Sequence, residues 1–300
     1  MSLYLRRLPQ LEYLEPESIG EACLLLREHQ GEAKVIAGGT DLLVQMKNRI
    51  RTPRYLVNLK RISDLGHIVY DEASGLRIGA LAKLRAIETS AIIKEKFTAL
   101  FEAAYNMASV QIRNLGTIGG NLCNALPSAD TVPPLMALDA RLKVVGVDGE
   151  RIVPIKEFFK APGETVLNGS EILAEIQIDP PPPMSDSTYI KYTLRNAMDL
   201  ARVGVAVFLK LASSNGKCED VRIGLAACAP TPIRAERAEQ ILRGSSLSDE
   251  VLERASTVAC DESECRLDSF RVPVDYREEL IRVLTKRAIK HLIQRMGSRQ

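Results

Sequence analysis

The stretch Thr117-Ile118-Gly119-Gly120-Asn121-Leu122-Cys123-Asn124-Ala125-Leu126-Pro127-Ser128-Ala129-Asp130 decides how this chain is read. It sets two adjacent glycines among small polar side chains, turns at Pro127 and closes on an acid. Without a Cβ, such glycines let backbone approach a ligand closely or take positive φ without strain. An earlier stretch, Ala37-Gly38-Gly39-Thr40-Asp41, has the same character. It follows a short buried strand, Val35-Ile36-Ala37, and precedes a helical pattern over 42–48. That junction aims free N–H groups and the favourable end of a helix dipole at an anion, although a strand-Gly-Gly-helix link also serves as a plain tight turn. The expectation is that both segments close on one phosphate-bearing cofactor.

Composition narrows the classes. Three hundred residues exceed the usual size of a single core, so two domains are expected. Forty Lys and Arg against 38 Asp and Glu give a net +2, which favours neither nucleic acid nor a membrane surface. No apolar run reaches the roughly 20 residues that span a bilayer, and the N-terminus lacks a signal-peptide pattern. Six cysteines form no CxxC pair, which suits reduced thiols in the cytoplasm. Three histidines leave little material for a metal site or a triad.

Along the chain, 17–30 reads as a helix with Ile19, Ala22, Cys23 and Leu26 on one face. Residues 55–59 read as a strand, and 68–70 with 76–78 as a hairpin. Residues 92–108 read as one helix, and 141–154 as a hairpin turning at Asp148-Gly149. Residues 171–178 alternate as a strand and run into four prolines at 180–183, where the domain boundary is expected. Beyond it come three strands (189–194, 203–211 and 218–227, the last two joined through Ser213-Ser214-Asn215-Gly216). Three helical runs follow, 234–243, 249–259 and 276–295. The pattern is α+β, with domains at 1–179 and 184–300.

The chemistry residues are few. Neither GxGxxG after a strand nor GxxxxGK[ST] occurs, which argues against a Rossmann domain and a P-loop. Backbone N–H groups with Thr40, Thr117, Asn121 and Ser128 can cradle a pyrophosphate without lysine. Asp41 and Asp130 suit hydrogen bonds to ribityl, ribose or ring groups, or else cap helices. Cys123 reads better as a packed thiol than as a nucleophile. Arg195, Asp199 and Arg202 form either an interdomain ion-pair network or a clamp on a ligand.

Taken together, these residues resemble the flavin-binding medium subunit of molybdenum hydroxylases, the group of xanthine, carbon monoxide and nicotinate dehydrogenases and 4-hydroxybenzoyl-CoA reductase. The resemblance rests on Val35-Ile36-Ala37-Gly38-Gly39-Thr40-Asp41-Leu42-Leu43 with Met46-Lys47, and on Thr117-Ile118-Gly119-Gly120-Asn121-Leu122 with Pro127, Ser128 and Asp130. Glu171-Ile172-Leu173 and Lys191-Tyr192 with Arg195-Asn196-Ala197-Met198-Asp199 also fit. It implies a flavin-binding domain of two subdomains (PCMH-type), then a three-stranded sheet with a helical bundle.

It also implies noncovalent FAD. The cofactor-binding residues would be Lys34, Val35, Ile36, Ala37, Gly38, Gly39, Thr40, Asp41 and Leu42, then Met107, Thr117, Ile118, Gly119, Gly120, Asn121, Asp130, Leu173, Lys191 and Arg202. Of these, the first glycine loop with Thr117, Gly119, Gly120 and Asn121 would hold the pyrophosphate. Asp130 would meet the cofactor's polar part, and Leu173 and Met107 would pack near the isoalloxazine. Lys191 or Arg202 would close over it. The implied role is electron transfer, with molybdopterin on a large partner and 2Fe–2S clusters on a small one, in a heterotrimer or a dimer of heterotrimers. NAD, a quinone or another carrier would exchange electrons with the flavin, and no catalytic acid or base is expected in this chain. The cysteine-rich insertion that binds a 4Fe–4S cluster in 4-hydroxybenzoyl-CoA reductase is missing after Asn121-Leu122-Cys123, so no iron is expected here. The competing readings are a self-sufficient flavin oxidoreductase and an assembly subunit without cofactor.

Overall fold

A computed structural model describes residues 7–212, 216–265 and 272–298. The chain opens with β1 (Glu12–Leu14), α1 (Ile19–Glu28), β2 (Ala33–Ile36), α2 (Leu42–Lys47) and β3 (Tyr55–Asn58). Ser18 caps α1 by accepting from the Glu21 N–H, and Ala22, Cys23 and Leu26 form its buried stripe. The three strands make a parallel sheet in the order β1-β3-β2. The crossovers that parallel pairing requires place α2, and the glycine segment before it, at the sheet's end.

The middle region contributes β4 (Ile68–Asp71), β5 (Gly75–Gly79), α3 (Leu84–Thr89), α4 (Ala91–Lys96), α5 (Thr98–Tyr105), α6 (Val110–Leu115), α7 (Ile118–Cys123) and α8 (Val132–Ala137). Strands β6 (Arg141–Gly146), β7 (Gly149–Pro154), β8 (Phe159–Ala161), β9 (Glu164–Thr165) and β10 (Ile172–Ile178) follow. The sheet β4-β5-β10-β6-β7 is antiparallel throughout. The helix expected over 92–108 is two helices: Phe97 leaves helical geometry (φ −131, ψ 51) to bury its ring completely. In the β6–β7 hairpin Gly146 pairs with Gly149. The two-residue turn is therefore Val147-Asp148, one residue before the expected pair.

After the prolines come β11 (Ser185–Tyr192), β12 (Val203–Leu211), β13 (Cys218–Ala226), β14 (Ile233–Arg234), α9 (Glu236–Leu242), α10 (Asp249–Asp261) and α11 (Val274–Gly297). The sheet is antiparallel and has four strands rather than three, because two residues at 233–234 pair with β13. The turn expected at Ser213-Ser214-Asn215 lies outside the described residues.

Alternation along β12 organises the interior. Val203, Val205, Val207, Leu209 and Leu211 face α9–α11, while Ala206 and Phe208 join the core of the preceding region. A strand buried on both faces needs a near-continuous apolar run, and Val-Gly-Val-Ala-Val-Phe-Leu supplies one. A further core joins α1 and β3 to Ile172 and Ala174 of β10. No helix among the described residues is long and apolar enough to cross a membrane.

Candidate functional site

A cavity of about 790 Å³ opens between the parallel sheet, the central helices and the segment after β11. Cofactor sites occupy about 300–1,000 Å³, so one dinucleotide-sized ligand fits its scale. Lys34, Val35, Ile36, Ala37, Gly38, Gly39, Thr40, Asp41 and Leu42 line it, as do Met107, Thr117, Gly119, Gly120, Asn121, Asp130 and Leu173. Both glycine segments thus reach one space. Ile118 does not line it, being fully buried in the core behind. Lys191 and Arg202 also stand off the wall.

The two segments meet backbone to backbone. A Cβ on Gly38 would lie 2.3 Å from the Leu115 carbonyl oxygen, so only glycine lets β2's exit press against the end of α6. Gly39 has φ +73, the left-handed turn that starts α2. Among the described residues no acceptor meets the N–H groups of Gly39 and Thr40. Those donors border the cavity.

The second segment is built differently from the expected loop. Residues 118–123 are helical, with the Thr117 hydroxyl capping the Gly120 N–H at 3.0 Å. Ile118 and Gly119 donate to the Ala82 and Ala80 carbonyls at 3.0 and 2.9 Å. A Cβ on Gly119 would lie 2.6 Å from Ala80. Gly119 is therefore required by packing against Ala80, and its N–H is already bonded within the protein. What this segment presents to the cavity is its surface and the Asn121 amide, whose Oδ1 accepts from the Thr131 hydroxyl at 2.6 Å.

Neither aspartate caps a helix with its side chain, although Asp41 holds the N-cap position of α2. Asp41 makes no side-chain cap bond to α2. Asp130 is buried and accepts from the Tyr189 hydroxyl and the Lys191 ammonium, each at 2.8 Å. Burial pushes its carboxyl above the usual aspartate range, with Lys191 and Tyr189 partly opposing. Burial and the neighbouring Asp130 push Tyr189 well above the usual phenol value. Lys191 stays off the cavity wall because its ammonium is engaged by Asp130 and by the Asn106 carbonyl at 3.2 Å.

Arg195, Asp199 and Arg202 are joined within one segment of the second region, and Arg195 and Asp199 reach the cavity wall. Asp199 holds its own segment, facing Arg195 and Arg202 at 3.5 Å each and accepting from the Leu194 and Leu200 N–H groups. Arg195, Met198, Asp199 and Leu200 line the cavity, and Arg202 sits behind Asp199. Sequence reasoning missed Arg51, Ser109, Met198 and Leu200 as wall residues. Met198 and Leu200 are 65% and 54% exposed, a signal visible only once their neighbours are placed.

Cys123 is exposed to the cleft instead of packed in a core, which overturns the packing reading. Among the described residues no histidine lines the cavity beside it to take the proton that a cysteine nucleophile must lose. All six cysteines are free. Among the described residues no cluster of three or more His, Cys, Asp or Glu is placed to hold a metal ion. At β10 a bulge between Leu173 and Glu175 interrupts the ladder with β6 where the strand passes the cavity.

Fold and site define a two-region protein whose first region supplies most of a dinucleotide-sized cleft. The chain belongs to the family of FAD-binding domains of molybdopterin dehydrogenases, whose family model matches residues 9–181. Residues 188–292 match the carbon monoxide dehydrogenase flavoprotein C-terminal domain. The chain is 33% identical over 288 residues to the putative xanthine dehydrogenase FAD-binding subunit of Escherichia coli, covering 96% of this chain and 97% of that one. It is 33% identical over 279 residues to the carbon monoxide dehydrogenase medium chain of Afipia carboxidovorans, covering 93% and 95%. Its structure resembles reconstituted carbon monoxide dehydrogenase from Oligotropha carboxidovorans with TM-score 0.91 at 32% identity, covering 96% and 100%. The protein is an FAD-binding oxidoreductase subunit.

Proposed function

We propose that this chain carries FAD as the medium subunit of a molybdopterin-dependent hydroxylase or dehydrogenase in the cytoplasm. It would pass electrons between the 2Fe–2S clusters of a small partner and an external carrier such as NAD or a quinone. A large partner would hold the molybdopterin and choose the substrate, in a heterotrimer or a dimer of heterotrimers. We divide the chain functionally into an FAD-binding domain, 1–179, and a C-terminal domain, 184–300. The observation that carries this reading is the single cavity on which both glycine segments of a family member converge.

The residues present fit the group. Gly39 and Thr40 offer unbonded N–H groups, backed by Thr117 and Asn121 side chains, for a pyrophosphate. Met107 and Leu173, 7% and 3% exposed, give apolar surface for a ring system. Asp130, held by Tyr189 and Lys191, is a fixed acceptor for a hydroxyl-bearing chain. Bound FAD supplies the one- and two-electron redox chemistry, while this chain binds, orients and shields it.

Titrating FAD into the deflavinated chain, then assaying the chain alone, tests the proposal. FAD binding without turnover is the expected result. Turnover by the chain alone would point to a self-sufficient oxidoreductase, and absence of binding would sink both readings.

A further inference from the structure

Met107 and Ala108 form part of the cavity wall, and the backbone there is in a conformation that side chains resist. Ala108 has φ +46. For a residue with a Cβ this left-handed region is unfavourable, so its neighbours must hold it there. Arg113 does. Its Nη1 donates to the Met107 carbonyl at 2.7 Å and lies 3.5 Å from the Ala108 carbonyl. The other edge of the same guanidinium grips Glu88 of α3, Nε to Oε2 at 2.7 Å and Nη2 to Oε1 at 3.2 Å. Arg85 backs the same carboxylate at 2.7 Å.

Neither Arg113 nor Glu88 lines the cavity, and their side chains are 9% and 6% exposed. Burying such a pair is a poor source of stability, since well-packed apolar residues do as well or better. What an arginine offers here is shape. Its planar fork presents five donors in a fixed arrangement, enough to meet a carboxylate on one edge and two carbonyls on the other. A lysine ammonium cannot span both edges.

We propose that Arg113, oriented by Glu88, is a positioning residue for the flavin: it locks the Met107-Ala108 turn so that Met107 presents a preformed packing face to the ring. The inference rests on the reading of Met107 as a ring contact. It explains why the turn tolerates alanine in a left-handed conformation, and why a buried charge pair stands one layer behind an apolar wall.

FAD titration of the deflavinated full-length chain, with visible circular dichroism of the bound flavin and thermal unfolding of the apoprotein, tests it. Arg113→Lys should weaken FAD binding about tenfold, the fold-change that corresponds to an unfavourable left-handed turn left without its clamp, and alter the flavin dichroism. Adding Ala108→Gly to Arg113→Lys should recover part of the affinity, because glycine takes the left-handed turn without the clamp. Unchanged affinity and dichroism in Arg113→Lys would overturn the proposal, as would failure of Ala108→Gly to rescue. Should Arg113→Lys not fold, Glu88→Gln, near-isosteric, takes its place with the same expectations. Met107→Ala in the same titration isolates the underlying reading: if it leaves the dichroism unchanged, Met107 is no ring contact and both fall. A clamp failure with Met107→Ala still active leaves the ring contact standing.

Discussion

Lys191, on a strand of the C-terminal sheet, sets its ammonium 2.8 Å from Asp130, which lines the cavity 61 residues earlier in the chain. The other Asp130 oxygen takes the Tyr189 hydroxyl. One buried carboxylate therefore fastens the second region to the wall of the site formed by the first. The electrostatics of the cleft and the docking of the two regions are a single arrangement.

Removing the cation should expose that dependence. Breaking a buried pair from one side costs about 3–5 kcal/mol when the remaining charge cannot escape, but Asp130 escapes by taking a proton. Its folded pKa already lies above the ordinary value of 3.8. Lys191→Met raises it further, so the native state binds the proton more tightly than the unfolded chain. Stability is then lost as pH rises from the unfolded value through the folded one. Urea unfolding at pH 5 and pH 8 should show the deficit of Lys191→Met widening at the higher pH. Equal deficits would contradict the arrangement.

Gly204 makes room for Tyr189. A Cβ there would lie 2.6 Å from the tyrosine hydroxyl, on the strand opposite. Gly204→Ala should cost about 1–3 kcal/mol by overpacking and by drawing the hydroxyl away from Asp130. Tyr189→Phe, which loses only the hydroxyl, should cost less in the Gly204→Ala background than in the wild type. Denaturant midpoints of the two single variants and the double variant check this, and strict additivity would refute it.

The glycines of the two segments should separate by phenotype. Gly38→Ala and Gly119→Ala drive a Cβ into backbone or into Ala80, so both should lower apoprotein stability together with FAD affinity. Gly39→Ala meets only side-chain atoms, the nearest on Leu43 at 3.1 Å, and its main cost is φ +73, about 1–2 kcal/mol. Its effect should fall mainly on FAD affinity. Apoprotein melting that ranks Gly39→Ala as the most damaging of the three would overturn this assignment.

Glu88 predicts an acid signature. Burial pushes its carboxyl up, but hydrogen bonds from Arg113 and Arg85 outweigh that and hold it below the ordinary 4.5. A depressed folded pKa contributes stability that is present above the unfolded value and lost as pH falls through the folded one. Glu88→Gln should be less stable than wild type at pH 7, and the gap should close below the ordinary glutamate range. Denaturant midpoints measured across that range give the test, and a constant gap would show that the pair contributes nothing through charge.

The elements legible in the sequence were those with a strong local period or a forced turn. The run Val-Gly-Val-Ala-Val-Phe-Leu announced β12, and Gly38-Gly39 after a short apolar run announced the first cavity segment. Two adjacent glycines usually break helices, so 118–123 carries no helical signal in the sequence. Here the Thr117 cap and the bonds to Ala80 and Ala82 override that propensity. The six-residue helices α3, α6 and α7 are too short to show a period. Partnerships such as Glu88 with Arg113, 25 residues apart, leave no local trace. Arg51 and Leu200 belong to the wall only because of how distant elements are placed.

Tyr189, Ala206 and Phe208 of the C-terminal sheet lie in the same core as Leu100, Leu135 and Phe158 of the first region. Two separately recognisable families of sequence therefore share one interior. Cleaving the link at the prolines would leave two fragments, each with an oily face and no partner, rather than two working modules. The halves are expected to be inherited, expressed and lost together, and a transplant of either half into a relative would succeed only where those three side chains find an interior shaped to receive them.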